Sequence, residues 1–301
     1  MKANVITICD ALRTSSKQGL DTCDAETLLL HTLQAHHKGR AWLRAHSSDI
    51  LEPEEAYAYN LACVRRRNGE PVAYITGRRE FYGLNLMVDA RVLDPRPDTE
   101  TLVDWALEVL TGLHAPKVAD LGTGSGAIAL AIQHQRPDAL VIATDASADA
   151  LAVAETNAKR LNLPVRFALG PWLVPIATEP NSANHLQLIV SNPPYIADSD
   201  PHLTALHHEP RQALTSGSDG LDDIKHIVKN APAHLRTGGW LLLEHGYDQA
   251  SAVQDLLRAE GFDSIQTRQD LAGLDRCTGG SILKPLTNKR SQTFASSAHK
   301  G

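Results

Sequence analysis

The chain has 301 residues, of which 43% are apolar and 21% charged, as in an ordinary globular protein long enough for two domains. Its formal net charge of -6 excludes a global positive field that would draw it to nucleic acid or to an anionic membrane. The four cysteines are scattered without a C-x-x-C pair, so neither a zinc site nor a disulfide framework is predicted. No stretch reaches the length of a membrane span and no long apolar segment opens the chain, which favours a cytoplasmic protein without membrane contacts.

Residues 1–75 are predicted to form a helical domain that carries no catalytic motif. Asp24 is a candidate cap for one helix, and Pro53 stands at the expected first turn of another. The triplet Arg65–Arg67 falls in the last turn of that second helix, where basic side chains suit the helix dipole. We interpret the triplet as a solvated helix end and the domain as a partner-binding module.

Residues 76–100 are predicted to form a β-hairpin around Gly83, followed by a connector that prolines stiffen. Asp98 or Thr99 is expected to cap the helix that begins next. The connector either closes one side of a pocket or only joins two domains, and spacing alone leaves both interpretations open.

From Lys117 the pattern alternates strands and helices, which predicts a parallel α/β sheet in a catalytic domain of residues 101–286. A glycine-rich loop follows the first of these strands at once; its residues are Gly122, Thr123, Gly124, Ser125 and Gly126. Asp145 ends the second strand, at roughly the 20-residue offset of a ribose-binding carboxylate. The loop lacks the last glycine of the dinucleotide fingerprint, and the chain has no P-loop sequence. The glycine loop and the helix N-terminus behind it favour a bound carboxylate or phosphate, and Asp145 favours a ribose. S-adenosylmethionine has both a ribose and an amino-acid carboxylate, so it fits the two features. The alternative interpretation is a glycine turn that only allows tight strand–helix packing.

Trp172 follows the third predicted strand, and Asn192-Pro193-Pro194-Tyr195 follows the fourth. Both segments are therefore expected at the same edge of the sheet as the glycine loop. Trp172 either stacks on an adenine face or packs in the core. Because proline lacks an N–H donor and fixes φ, the two prolines end the strand and stiffen the corner. There the Asn192 side-chain oxygen and the Pro193 carbonyl can accept both hydrogens of a flat –NH2 group beneath the Tyr195 ring. For Asn-Pro-Pro alone an ordinary proline-rich turn after a strand is the favoured interpretation, and the glycine loop upstream shifts the preference to a binding site.

The rest of the chain is predicted to complete the sheet. The loop 201–220 is interpreted as a flap beside the site, and its residues His202, His207, His208 and Glu209 fit no common zinc spacing, so no metal is expected. Helices over 221–235 and 249–259 and strands near 240–244, 264–268 and 280–284 follow, which gives seven strands in all. Residues 287–301 are polar and small and are predicted to be a disordered tail.

The segments Asp120–Gly126 and Ser191–Tyr195 resemble class I S-adenosylmethionine-dependent methyltransferases that act on amide or exocyclic amino nitrogens. Three further blocks, Gly69–Gly83, Pro95–Glu100 and Leu241–Gly246, narrow the resemblance to the peptide chain release factor glutamine N5-methyltransferase family (PrmC/HemK), over about residues 20–284. The resemblance implies an α/β fold: a Rossmann-like sheet of seven mostly parallel strands, a small helical N-terminal domain that helps bind the release factor, and a β-hairpin linker.

The resemblance also implies methyl transfer from S-adenosylmethionine to N5 of a glutamine in the Gly-Gly-Gln loop of release factors. We further expect a monomer, and the net charge of -6 favours a protein that binds no nucleic acid. The implied cofactor-binding residues are Gly122, Thr123, Gly124, Ser125, Gly126, Asp145, Trp172 and Asn192. The implied catalytic residues are Asn192, Pro193 and Tyr195, and the implied substrate-binding residues are Asn192, Pro193, Pro194 and Tyr195.

The chain departs from the family pattern at three places. Pro171 stands where an acidic residue commonly precedes the Trp, Asp94 replaces an apolar residue, and the segment 173–185 is longer than expected. Two alternatives stay open: a glutamine N5-methyltransferase of a ribosomal protein, which shares Asn-Pro-Pro-Tyr but lacks the Arg-Pro-Asp-Thr-Glu connector, and an adenine N6-methyltransferase of DNA or RNA.

Overall fold

The computed structural model describes residues 5–177 and 185–283. These residues divide into two compact units, one drawn from Met1–Asp94 with Asp200–Arg211 and the other from Pro95–Ser199 with Gln212–Gly301. The predicted tail 287–301 and most of the long segment 173–185 lie outside the described residues. The domain boundaries at residues 75, 100 and 286 remain predictions. No helix among the described residues is long and apolar enough to cross a membrane.

The first unit is a helical core followed by a hairpin. Its helices are α1 (Ile8–Lys17), α2 (Thr22–Thr32), α3 (Gly39–Ala45), α4 (Pro53–Arg67) and α5 (Val72–Thr76), and its strands are β1 (Arg78–Phe81) and β2 (Leu84–Met87). Leu28, Leu29 and Leu43 are almost fully buried in the core that these helices share. The strands pair antiparallel across Tyr82-Gly83, so the predicted hairpin is confirmed.

Two details of the helical unit correct the sequence analysis. The cap of α2 is Asp21, whose carboxylate accepts the backbone N–H groups of Cys23 and Asp24, so the prediction for Asp24 is wrong. Asp24 instead accepts a hydrogen bond from Arg66 Nε at 2.7 Å. Arg65 likewise pairs with Glu70, with Nε and Oε2 2.7 Å apart. The arginine triplet is therefore not merely a solvated helix end, since Arg66 ties α4 to α2.

The second unit is a seven-stranded sheet. Its strands are β3 (Lys117–Leu121), β4 (Leu140–Asp145), β5 (Arg166–Leu169), β6 (Leu186–Ser191), β7 (Leu235–Glu244), β8 (Asp263–Gln269) and β9 (Asp275–Ser281). They lie in the order β5-β4-β3-β6-β7-β9-β8, and β9 runs antiparallel to both of its neighbours. The predicted class, a mostly parallel seven-stranded α/β sheet with a helical N-terminal region and a hairpin, is confirmed.

Several predicted boundaries shift in this unit. The helices are α6 (Glu100–Val109), α7 (Ala127–Gln135), α8 (Ala148–Leu161), α9 (Val174–Ala177), α10 (Asp222–Asn230) and α11 (Ala250–Ala259). The helix predicted over 221–235 ends five residues early, because Leu235 already pairs with Leu186 in the sheet. The strand predicted at 280–284 is β9, which ends at Ser281.

The strand register brings several chain segments to one level of the sheet. Leu121 at the end of β3 is the partner of both Thr144 on β4 and Ser191 on β6. Ser191 is in turn the partner of Leu243 on β7. The residues that follow these strands therefore leave the sheet side by side, at its carboxyl edge. The strand order reverses at β3, and such switch points are where open parallel sheets bind ligands.

We expect Leu241→Ala to destabilise this unit strongly, because Leu241 is fully buried in the sheet core and its truncation leaves a cavity. A loss of about 2–5 kcal/mol in the free energy of unfolding is typical of such a change. The measurement is urea denaturation followed by tryptophan fluorescence, since Trp105 and Trp240 contact each other in the same unit. Leu140→Ala is the matched control: Leu140 is 57% exposed on the same sheet, and its loss should change the free energy by no more than about 0.5 kcal/mol.

Candidate active site

The loop after β3 has the backbone geometry that close approach of a ligand requires. Gly122, Gly124 and Gly126 have φ values of +70°, +55° and +85°, in the left-handed region that side chains disfavour. A Cβ on Gly122 would lie 3.1 Å from the Trp172 ring, whereas a Cβ on Gly124 would meet nothing within 4 Å. The loop is thus packed on the Trp172 side and open above Gly124.

Asp120, the residue before Leu121, supports the loop from beneath. Its Oδ2 accepts the Thr123 hydroxyl at 2.6 Å and the Ala129 backbone N–H at 3.1 Å. The carboxyl is fully buried, and that burial raises its pKa to about 7, against the hydrogen bonds, which lower it. The sequence analysis gave Asp120 no role, although an acid before the loop with a threonine three residues on was a visible signal.

Asp145 lies at the end of β4, where the sequence predicted it. Its Oδ2 accepts the Gly124 N–H at 2.9 Å and its Oδ1 accepts the Ser147 N–H at 2.8 Å. The Asp145 carboxylate therefore holds both the glycine loop, through Gly124, and the start of α8, through Ser147. A carboxylate has about four lone-pair sites, so acceptor capacity remains for two further donors.

Trp172 is brought to the same edge, in a strained conformation. Its φ is +49°, which is unusual for an aromatic residue, and its carbonyl accepts the Thr144 hydroxyl at 2.8 Å. The ring is partly buried against the core cluster of the sheet and against Gly122. The packing role left open by the sequence is thus observed, and an additional contact with adenine remains a prediction.

Asn192 follows β6 directly and is held by two side chains. Ser191 Oγ donates to the Leu121 carbonyl at 2.6 Å, which joins the ends of β6 and β3. Asn192 Nδ2 donates to Thr99 Oγ1 at 3.2 Å. Thr99, which is 4% exposed, is the N-cap residue of α6, one of the two residues predicted for that position, but its side chain makes no capping hydrogen bond. Its hydroxyl instead accepts the hydrogen bond from Asn192. The connector therefore does contribute to the site.

Tyr195 is anchored at both its backbone and its side chain. Its carbonyl accepts a hydrogen bond from Gln249 Nε2 at 3.0 Å, and its hydroxyl donates to Glu244 Oε1 at 3.3 Å. A Cβ on Gly220 would lie 2.2 Å from the same carbonyl, so only glycine fits there. Burial, and secondarily the Glu244 charge, raise the pKa of Tyr195, which keeps the phenol protonated.

Glu244 is a buried acid that contacts the Asn192–Tyr195 corner through the Tyr195 hydroxyl. It is 1% exposed, and burial raises the pKa of its carboxyl to about 7. The Thr99 hydroxyl, Arg276 and the Tyr195 hydroxyl act in the opposite direction. Arg276 lies on β9 and pairs with Asp270 at 3.1 Å. The sequence analysis quoted Glu244 within a family block but assigned it no contact.

The structure therefore gathers the glycine loop, Asp145, Trp172 and the Asn192–Tyr195 corner at one edge of one sheet. Two histidines of the 201–220 loop have polar partners: His202 Nδ1 lies 2.7 Å from Asp200 Oδ1, and His208 Nε2 lies 3.1 Å from the carbonyl oxygen of Asn68, which is 140 residues away in the chain. The described residues contain no group of three or more His, Cys, Asp or Glu that would hold a metal ion. The role of that loop as a flap remains a prediction.

Two family models match the chain. The PrmC N-terminal domain matches residues 10–77, and the Methyltransferase small domain matches residues 99–219. Among solved structures, the catalytic domain of hMettl16 in complex with the MAT2A 3′UTR hairpin 1 has a TM-score of 0.55 at 15% identity, over 80% of this chain and 85% of that one. The N-terminal domain of human METTL16 in complex with SAH has a TM-score of 0.51 at 16% identity, over 76% and 83%. At these identities the likeness shows the fold alone.

Much closer relatives are named release factor glutamine methyltransferase. The protein from Xylella fastidiosa (strain Temecula1) is 47% identical over 273 residues, which cover 90% of this chain and 96% of the relative. That from Coxiella burnetii is 48% identical over 254 residues, which cover 84% and 89%. The resemblance noted in the sequence is thereby confirmed, and the chain, a methyltransferase, belongs to the release factor glutamine methyltransferase family.

Proposed function

We propose that this protein transfers a methyl group from S-adenosylmethionine to N5 of the glutamine in the Gly-Gly-Gln loop of peptide chain release factors. The observation that carries the proposal is the position of Asn192, which leaves β6 beside the glycine loop with its amide held by Thr99. The names of the close relatives support a release factor as the substrate. We also propose that the protein acts as a monomer in the cytoplasm, without nucleic acid or membrane partners.

The residues after β3 and β4 fit S-adenosylmethionine. The space above Gly124 is open, the Asp145 carboxylate has spare acceptor capacity, and Asp120 Oδ1 is a buried oxygen without a hydrogen-bond partner among the described residues. In the proposal, Gly122 to Gly126 hold the amino-acid end, Asp145 accepts the ribose hydroxyls, and Trp172 contacts the adenine. The bound cofactor supplies an electrophilic methyl group on a sulfonium.

The corner after β6 is proposed to bind the substrate amide. An amide nitrogen is a poor nucleophile because its lone pair is delocalised into the carbonyl. Asn192 Oδ1 and the Pro193 carbonyl would accept its two N–H groups, while Pro194 and Tyr195 shape the slot around it. Holding two reactants in near-attack geometry supplies about 7–11 kcal/mol. Two neutral hydrogen bonds contribute only about 0.5–1.5 kcal/mol each, so positioning is the larger effect.

The two alternatives predict other substrates. A ribosomal-protein glutamine would fit the same amide slot, and an adenine N6 amino group presents the same pair of hydrogens after base flipping. The relatives' names favour the release factor over a ribosomal protein. The net charge of -6 argues against a nucleic-acid substrate.

The deciding experiment incubates the full chain and S-adenosylmethionine with intact release factor, a short Gly-Gly-Gln peptide, ribosomal protein or DNA. We expect mass spectrometry to find one added methylene group on the loop glutamine of the release factor. The peptide should be a much poorer substrate, because remote contacts contribute most of the binding energy of a small reacting group. Methylation of ribosomal protein alone, or of adenine alone, would contradict the proposal.

We expect Asp145→Ala to weaken S-adenosylmethionine binding. Each lost hydrogen bond to the carboxylate is worth about 1.5–3 kcal/mol, and the Gly124 N–H also loses its acceptor. Isothermal titration calorimetry on the folded variant measures the change. Asp149→Ala is the control, since Asp149 is an exposed acid in the first turn of α8 and should bind cofactor as the wild type does. Unchanged affinity in Asp145→Ala would remove the ribose assignment.

We expect Asn192→Ala to retain cofactor binding but to lower kcat on the order of a hundredfold, because the reacting nitrogen loses an acceptor that aligns it. Steady-state kinetics with intact release factor tests this. Asn230→Ala is the control, because Asn230 lies at the end of α10 and its Nδ2 donates to the His226 carbonyl, away from the residues of the proposed site. If Asn192→Ala keeps the wild-type rate, Asn192 is a turn residue and nothing more.

A further inference from the structure

The side chain of Gln249 joins three chain segments at the carboxyl edge of the sheet. Its Nε2 donates to the Tyr195 carbonyl, after β6, at 3.0 Å and to the Asp219 carbonyl, before α10, at 3.3 Å. Its Oε1 accepts the backbone N–H of Gly246, after β7, at 2.8 Å. One amide side chain therefore ties two further loops to the Asn192–Tyr195 corner.

These hydrogen bonds fix which end of the Gln249 amide faces the corner. The Gly246 N–H is a donor and can only be met by the amide oxygen, whereas the two carbonyls are acceptors and can only be met by the –NH2 group. With Oε1 on Gly246, the two hydrogens of Nε2 are left for the two carbonyls. A flipped amide would set a donor against a donor at one end and an acceptor against two acceptors at the other.

Two glycines make room for this amide. A Cβ on Gly220 would lie 2.2 Å from the Tyr195 carbonyl oxygen and 2.9 Å from Gln249 Nε2, and a Cβ on Gly246 would lie 3.1 Å from Gln249 Oε1. Gln249 is also the N-cap residue of α11, but its side chain makes no capping hydrogen bond to that helix. Support of the helix start therefore does not account for the side chain, whose contacts are with the corner and the two loops.

The far end of the corner is held by backbone contacts as well. The Tyr195 ring packs, partly buried, against the core cluster of the sheet, and Gln249 holds the Tyr195 carbonyl. The Ile196 N–H donates to the Leu214 carbonyl at 2.9 Å, and the Ile196 carbonyl accepts the Ser216 N–H at 3.0 Å. The Gln249 bond differs from these because it comes from a side chain, so a substitution can remove it while the backbone bonds stay.

We propose that Gln249 is a positioning residue that sets where the Asn192–Tyr195 corner lies and so aligns the substrate amide. This inference rests on the proposed function, in which Asn192 and the Pro193 carbonyl accept the hydrogens of that amide. Because Pro193 and Pro194 have fixed φ angles, the segment is stiff, and a shift at Tyr195 is carried to Asn192. A misplacement of about 1 Å can cost about a hundredfold in rate, so a support remote from the reacting nitrogen affects kcat.

The test measures kcat, KM and cofactor affinity of Gln249→Ala and Gln249→Glu, with intact release factor as the substrate. Gln249→Ala removes the donor and should lower kcat about tenfold. Gln249→Glu keeps the shape but turns an acceptor toward both carbonyls, so kcat should fall about a hundredfold. KM should change less than kcat, and calorimetry should find unchanged cofactor affinity. Gln254→Ala is the matched control: Gln254 Nε2 on the same helix donates to Thr267 on β8, two strands away from β6, and kcat should stay within about twofold.

A double variant separates positioning of the corner from general support of the fold. If Gln249 acts through the corner, the double variant Asn192→Ala with Gln249→Ala should be about as slow as Asn192→Ala alone, because the acceptor that Gln249 aligns is already gone. General loss of structure would instead multiply the two losses in kcat and would weaken cofactor binding as well.

Either of those results would overturn the inference. So would wild-type kcat in Gln249→Ala or in Gln249→Glu while the wild type methylates release factor and Asn192→Ala is slow. If Asn192→Ala alone keeps the wild-type rate, or if the wild type itself transfers no methyl group to release factor, it is the proposed function that fails.

Discussion

The parallel pairing of β3 with β6 is the constraint on which the site depends. The register places Leu121 opposite Ser191. Ser191 Oγ stabilises this pairing by donating a hydrogen bond to the Leu121 carbonyl at 2.6 Å. One residue further on, the glycine loop begins on one strand and Asn192 stands on the other. A slip of one residue would turn the side chains of β6 to the opposite face and misplace Asn192. The sheet thus brings together two segments that lie about 70 residues apart in the chain.

Two buried acids support this edge at a cost in stability. Asp120 lies under the glycine loop and Glu244 under the Asn192–Tyr195 corner, and burial raises the pKa of each to about 7. A carboxyl whose folded pKa is raised contributes stability that is fully present below its unfolded pKa and is lost as the pH rises through the folded value. The folded protein is therefore destabilised by both groups when they ionise. Buried ionisable groups of this kind are enriched at functional sites, and both acids contact segments that the proposed function assigns to ligand binding.

The sequence predicted the parts of the site that local chemistry determines. Glycines after a strand, an acid at the end of the next strand and prolines after Asn192 each limit the backbone on their own, and Asp145 and Asn192 lie where they were expected. Thr99, Glu244 and Gln249 were missed as partners of the corner. Thr99 lies 93 residues from its partner Asn192, and Glu244 and Gln249 lie 49 and 54 residues from theirs, Tyr195. Such contacts follow from register and strand order, which no local pattern encodes.

Contacts between distant parts of the chain also bear on the choice between glutamine and glutamate as the substrate. In the proposed reaction, glutamine offers two N–H donors at the reacting position, whereas an ionised glutamate offers only acceptors there and adds a negative charge. A site built to accept N–H groups rejects an analogue lacking them by about 10⁴–10⁵, provided that its own acceptors cannot turn. A carbonyl such as that of Pro193 cannot turn, but an asparagine amide can rotate. Discrimination by Asn192 therefore requires a partner outside the Asn-Pro-Pro-Tyr segment that holds the amide in one orientation, and Thr99 is the residue in contact with it.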